Sequence, residues 1–205
     1  MKKIYVVAML CAFAMTGVNG YAQSVKKQLK QETKEIQARA KELSADGWKS
    51  DQSDGLSRQL RDHREKKRNN PDLMELSGDG QHSSLAVAKT RAREDATIQF
   101  ADYLGGMIRG RVVTDMRDVN DEQADNFVAG YERILVQKLA KDVKPSYYIY
   151  KENGRNYQVR GFFYIDESVA TKKANDALKE AAEEAGLTFD YANGVSDFIK
   201  QGFNQ

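Results

Sequence analysis

Asn153-Gly154 stands between two runs of alternating apolar residues, Tyr147-Tyr148-Ile149-Tyr150 and Tyr157 to Ile165. In that setting the dipeptide predicts a β-hairpin closed by a two-residue type I′ turn. With Glu152 opposite Arg155, Tyr150 meets Tyr157, Tyr148 meets Val159 and Tyr147 meets Arg160. Side chains then sort onto two faces. Tyr148, Tyr150, Tyr157, Val159, Phe163 and Ile165 share one. Tyr147, Ile149, Arg160, Phe162 and Tyr164 share the other. If helices cover only the first face, the second is an exposed aromatic surface of the kind that marks an interaction site. Otherwise the N-terminal segment, or further helices, must cover it.

Helical periodicity surrounds the hairpin. Residues 24–45 carry Val25, Leu29, Ile36, Ala40 and Leu43 on one stripe, and Gly47 is suited to a left-handed cap. Trp48, the single tryptophan, follows at once and reads as an anchor for this arm. A weaker helix covers Leu56 to Lys67, and Asn69-Asn70-Pro71 breaks it. A short strand, Leu73 to Ser77, then meets a tight turn at Gly78-Asp79-Gly80. The next helix spans about Ser84 to Ile108, with Leu85, Ala88, Ala92, Ala96, Phe100, Leu104 and Ile108 in line. Gly105, Gly106 and Gly110 weaken its end, and Arg111 to Thr114 reads as a strand. Asn120 to Gln123 has capping-box form. The helix after it buries Phe127, Val128, Tyr131, Ile134, Leu135 and Leu139. Asp166 caps a last long helix with Val169, Ala174, Ala177, Leu178, Ala181 and Ala185 as its stripe, and Gly186-Leu187 stops it. A short amphipathic piece with Val195, Phe198, Ile199 and Phe203 ends the chain. The expected fold is α+β: a small antiparallel sheet with a tyrosine-rich hairpin, packed by three long helices, plus an N-terminal helical arm. The expected division is 1–22 leader, 23–70 arm and 71–205 core.

The leader constrains function more than fold. Lys2-Lys3, an apolar run from Ile4 to Met15 and Gly20-Tyr21-Ala22 form a secretory signal cleaved after Ala22. The run is too short to span a bilayer, which takes roughly 20 apolar residues. Cys11 follows Met9-Leu10 rather than the small residues a lipidation site needs. Cleavage removes this only cysteine, so no thiol or disulfide chemistry is left. It also leaves 30 basic residues against 30 acidic ones. Residues 23–70 hold 13 basic and 8 acidic groups, and residues 71–205 the opposite excess. That imbalance suits arm-to-core docking or self-association, or simply two solvated surfaces. The expected address is outside the inner membrane: periplasm, outer surface or medium.

No catalytic, cofactor or metal motif stands out. Gly78-Asp79-Gly80 lacks the spacing of a phosphate-binding loop. His63 and His82 sit in different segments without ligand spacing. Arg160-Gly161-Phe162-Phe163-Tyr164-Ile165 partly echoes an RNA-recognition signature, but it departs at Phe163 and Glu167, and an exported neutral protein excludes nucleic acid as partner. The basic stretch from Arg58 to Arg68 reads as a solvated helix face or as a contact for an anionic glycan or lipid head group.

The order Leu73 to Gly80, then the helix with Ala88, Ala92 and Ala96, then Gly110-Arg111-Val112-Val113, a second helix and the tyrosine-rich hairpin, resembles the small envelope lipoprotein domain family. That family is related to the N-terminal domain of the flagellar T-ring protein. The resemblance covers about half of the chain and implies helices packed on a small antiparallel sheet, with no catalytic residues. The chain departs from the family in lacking a lipidation cysteine. Its arm, with Ala40-Lys41-Glu42-Leu43, Gly47-Trp48-Lys49 and Gln59-Leu60, resembles exported proteins of Bacteroides-like bacteria. The expected function is non-catalytic binding or scaffolding of an envelope protein or glycan. Tyr147, Ile149, Arg160, Phe162 and Tyr164 are the contact surface and Trp48 is the arm's anchor. The alternative is a small-molecule or glycan binder with an aromatic-lined pocket. A hydrolase centred on His82 requires a serine and a carboxylate beside that ring.

Overall fold

The structure is a computed structural model that describes residues 27, 29–115 and 121–186. The expected leader (1–22), Val25, the Asn120 cap, Leu187 and the apolar piece from Val195 to Phe203 lie outside the described residues. Among those described, five helices surround one four-stranded antiparallel sheet, an α+β fold. The order along the chain is α1 (29–45), β1 (Lys49–Ser50), α2 (Leu56–Asn69), β2 (Leu73–His82), α3 (Leu85–Asp115), α4 (Asp121–Leu139), β3 (Lys144–Asn153), β4 (Asn156–Asp166) and α5 (Glu167–Glu184). In space the strands run β1-β3-β4-β2.

The hairpin forms, but its turn is displaced. Asn153 pairs with Asn156, so the two loop residues are Gly154 and Arg155, and Tyr150 faces Val159 rather than Tyr157. Gly154 alone takes positive φ (61°), which is the type II′ pattern, with glycine first. Arg155 is spared the left-handed conformation that a type I′ turn at these positions would impose on it. The shift is an even number of residues, so the expected division into two faces survives.

Gly78 and Gly80 are not a turn. They lie inside the ten-residue strand β2. A Cβ on Gly78 would stand less than 3.0 Å from the backbone of Ala92 and Ala96, and one on Gly80 would do the same to Ala88 and Ala92. Glycines on the strand and alanines four apart on α3 thus let helix and sheet backbones touch. The stripe continues through Phe100, Leu104, Ile108 and Val112, all buried. Four residues turn an α-helix by about 400°, so each step moves the stripe about 40° around the axis. Its first half therefore faces the sheet and its second half faces α4. This explains why the expected strand at 111–114 is helix instead. Burial of Leu104, Ile108 and Val112 outweighs three interior glycines at about 1 kcal/mol each. Gly105 also makes room for the Glu132 carboxylate of α4.

Helix α4 buries the six residues expected of it. Asp166 caps α5, accepting the backbone N–H of Ser168 (2.9 Å) and Val169 (3.3 Å). The buried face of α5 includes Ala170 and Ala182, whereas Val169 is half-buried and Ala185 exposed. On the arm, Leu29 is exposed while Ile36, Ala40 and Leu43 are buried. Helix α1 ends in a full Schellman motif. Gly47 N–H donates to Ser44 O (3.1 Å) and Trp48 N–H to Leu43 O (2.9 Å), with Gly47 at φ 84°.

Candidate functional site

The second face of the sheet is not open. Ala40, Leu43, Trp48 and Leu56 of the arm cluster with Tyr147 and Ile149, and Leu60 and Phe162 pack against them. The expected exposed surface is thus corrected: Tyr147, Ile149 and Tyr164 are buried, while Arg160 and Phe162 are half-buried. A row of aromatic and aliphatic side chains costs too much in water to stay bare, and the amphipathic arm supplies the cover. Trp48 is the anchor expected, at 8% exposure. Its ring lies under two cations, with Lys151 Nζ at 4.7 Å and the Arg160 guanidinium at 5.7 Å from the centroid.

The arm leaves a gap. A cleft of about 440 Å³ opens between arm and sheet, floored by Leu43, Leu60, Tyr147, Ile149 and Phe162. Tyr147 and Phe162 stack with centroids 4.4 Å apart. Its rim carries Arg39, Arg64, Arg160, His63, Glu75 and Ser77. Each guanidinium already has a carboxylate: Arg39 with Glu42 (2.6 Å), Arg64 with Glu35 (3.3 Å), and Arg160 with both oxygens of Asp79 (2.7 and 2.9 Å). Bonding to Asp79 raises the Arg160 pKa above its usual value. A larger hollow, about 880 Å³, lies over the start of α5 among Asp72, Asp166, Lys172 and Asp176. It has no aromatic wall, and Asp166 already occupies the helix end.

Three residues missed as a group in the sequence meet beside the cleft, whose rim includes two of them, His63 and Glu75. The β3–β4 register slips between Pro145 and Tyr147, and this bulge brings Ser146 beneath α2. His63 Nδ1 lies 2.8 Å from Ser146 Oγ, and its Nε2 lies 3.4 Å from Glu75 Oε1. The ring stacks on Tyr164 at 4.7 Å and meets Tyr147 edge-on at 5.1 Å. The Tyr164 hydroxyl donates to the His63 carbonyl. Burial lowers the His63 pKa, Glu75 works against that, and Lys66 and Arg64 add to it. A hydroxyl, an imidazole and a carboxylate stand in line, but the imidazole is clamped between rings. The grouping ties α2 to the sheet. Two signals pointed here: a proline inside a strand run, which implies a bulge or edge, and His63 continuing the Leu56–Leu60 stripe.

Among the described residues, no serine hydroxyl and no carboxylate bonds the His82 ring. Its Nδ1 accepts the backbone N–H of Ser84 at 3.0 Å, a local bond at the start of α3. Among the described residues no cluster of three histidines, cysteines or carboxylates could hold a metal ion, and no helix is long and apolar enough to cross a membrane. Compared with protein-family models, curated proteins and solved structures, the chain matches none.

Proposed function

We propose that this chain is an exported, non-catalytic binding or scaffolding module of the bacterial envelope, and that it holds its ligand in the cleft between arm and sheet. The cleft carries this reading. Its volume falls within the usual range for ligand sites, and it joins an apolar, aromatic floor to a few convergent polar groups. Export rests on the basic start, apolar run and Gly20-Tyr21-Ala22. The resemblance to the envelope lipoprotein domain family supports the same compartment and a role without catalysis.

The test is a photoreactive residue placed at Ser77, on the cleft rim, in intact cells that are then fractionated. A control probe goes at Asp176, in the hollow over α5. Capture from Ser77 alone, in the envelope fraction, supports the reading. Retention of the protein in the cytoplasm refutes the address, and equal capture from both positions refutes the cleft.

A further inference from the structure

Strand β2 is the last in the sheet, with β4 on one side only. The direction of its main-chain groups follows from their bonds. Asp72 O accepts the Glu167 N–H at 2.9 Å, so even-numbered residues bond towards β4 and odd-numbered ones point outward. At both ends of the strand some outward groups are closed. Leu73 N–H donates to Asn70 O at 3.1 Å, and Leu73 O accepts Lys67 Nζ. Asp79 N–H donates to Asp95 Oδ2 at 2.8 Å, and Gln81 O accepts from Arg91 at 2.8 Å. Between these closures, no described residue bonds the outward N–H and C=O groups of Glu75 and Ser77. These two residues also line the cleft.

Natural sheets seldom leave an edge unguarded. Here each end has bonded outward groups, whereas Glu75 and Ser77 have none where the edge adjoins the cleft. We propose that an extended acidic peptide segment of a partner protein adds to β2 as a fifth strand over Glu75 to Ser77. Main-chain bonds to Glu75 and Ser77 supply affinity, and alternate side chains supply specificity. Residues paired with Glu75 and Ser77 share their face, so one apolar side chain enters between Leu43, Leu60 and Phe162. Acidic neighbours meet the basic arm, which between residues 23 and 70 carries 13 basic groups against 8 acidic. The same charge argues against a second copy. Two-fold pairing through β2 would set two basic arms side by side on one face of the joined sheet. A small anion alone would leave the edge open. The inference deepens the proposed binding role and rests on the cleft as its site.

The test uses the purified protein and a blocked pentapeptide, Glu-Thr-Leu-Thr-Glu, whose first, third and fifth residues face the arm. One twin is N-methylated at both Glu and Leu, one carries Lys for Glu, and one is N-methylated at the two Thr. Titration and amide exchange of Glu75 and Ser77 are read together. Strand addition slows exchange at both amides about tenfold or more at saturation. Methylation at Glu and Leu, or Lys for Glu, weakens binding about tenfold or more, while methylation at Thr leaves it nearly unchanged. In the protein, Ser77→Pro removes an outward donor without breaking a bond to β4, and it weakens binding by a similar factor. The proposal falls if the peptide does not bind at about 1 mM. It also falls if the peptide binds without protecting Glu75 and Ser77, or if the Glu/Leu-methylated or Lys twin binds as tightly. Capture from Ser77 in cells with no edge protection by the peptide would keep the cleft and reject the strand.

Discussion

His63 Nδ1 lies 2.8 Å from Ser146 Oγ, and that contact joins the arm to the sheet through a ring whose charged form burial disfavours. The folded state holds a proton on His63 less readily than the unfolded chain, where the pKa is about 6.5. Unfolding therefore takes up a proton between the lowered pKa and about 6.5. The contribution of neutral His63 is whole above that window and is lost as pH falls through it. Glu75 opposes the shift, whereas Lys66 and Arg64 add to it.

The expected outcome is a urea midpoint that falls between about pH 7 and pH 5. The fall is shallower in His63→Asn and steeper in Glu75→Gln, which removes the carboxylate that steadies the imidazolium. Subtracting the His63→Asn profile from the wild-type one isolates the contribution of His63. Parallel profiles in all three proteins would refute the assignment.

Gly78 and Gly80 make a sharper steric prediction. Their missing Cβ atoms would collide with the α3 backbone, which cannot swing away as a flexible side chain can. Gly78→Ala and Gly80→Ala should each cost about 3 kcal/mol. Gly106 lies on the exposed side of α3 with open space around it, so Gly106→Ala should instead stabilise by about 0.5 to 1 kcal/mol. Denaturant unfolding of the three variants checks both signs.

These glycines also show where local reading stops. Gly-Asp-Gly looks like a turn, because the alanines that demand the glycines, Ala88, Ala92 and Ala96, lie beyond any local window, on the next helix. The apolar stripe of α3 was legible from Leu85 to Ile108. Its extension to Val112 was hidden because three glycines argue locally for a break, while α4 supplies burial that propensity cannot register. The two faces of the hairpin could be read from alternation alone. What covers the second face could not, since Ala40, Leu43 and Leu56 would suit a helix packed on anything. The cleft was least legible of all. It arises where two helices fail to fill the space above β4 and β2, and no residue announces a gap. Ser146 reaches His63 only because the strand bulges beside Pro145.

At the other end of the arm, Asp51 binds Gln59 Nε2 at 2.7 Å and Lys89 Nζ at 2.9 Å, tying the arm to α3 around the β3 edge. The Asp51 side chain is only 10% exposed and that of Lys89 28%. Asp51→Ala leaves Gln59 and Lys89 without their acceptor and should cost about 2 kcal/mol, because Lys89 still reaches water. The double variant Asp51→Leu/Lys89→Met should recover at least half of that. A double variant as unstable as the sum of its single variants would mean that the two residues do not interact.

Trp48 bears on whether the arm can loosen by itself. Among the described residues there are two apolar clusters, one on each face of the sheet, and the arm's cluster has six buried members against twenty-five in the core. A smaller cluster gives a unit that opens at lower free energy than the whole. Amides of α1 and α2 should therefore exchange faster than those of α3 and α4. Trp48→Ala removes the largest side chain of the arm's cluster and should cost the arm about 3 kcal/mol. Exchange in α1 and α2 should then accelerate by about two orders of magnitude, with α3 and α4 little changed. The cleft needs the arm in place, so ligand capture through Ser77 should fall with it. Uniform acceleration over all five helices would show instead that arm and core unfold as one unit, and that the cleft is a fixed feature of the whole fold.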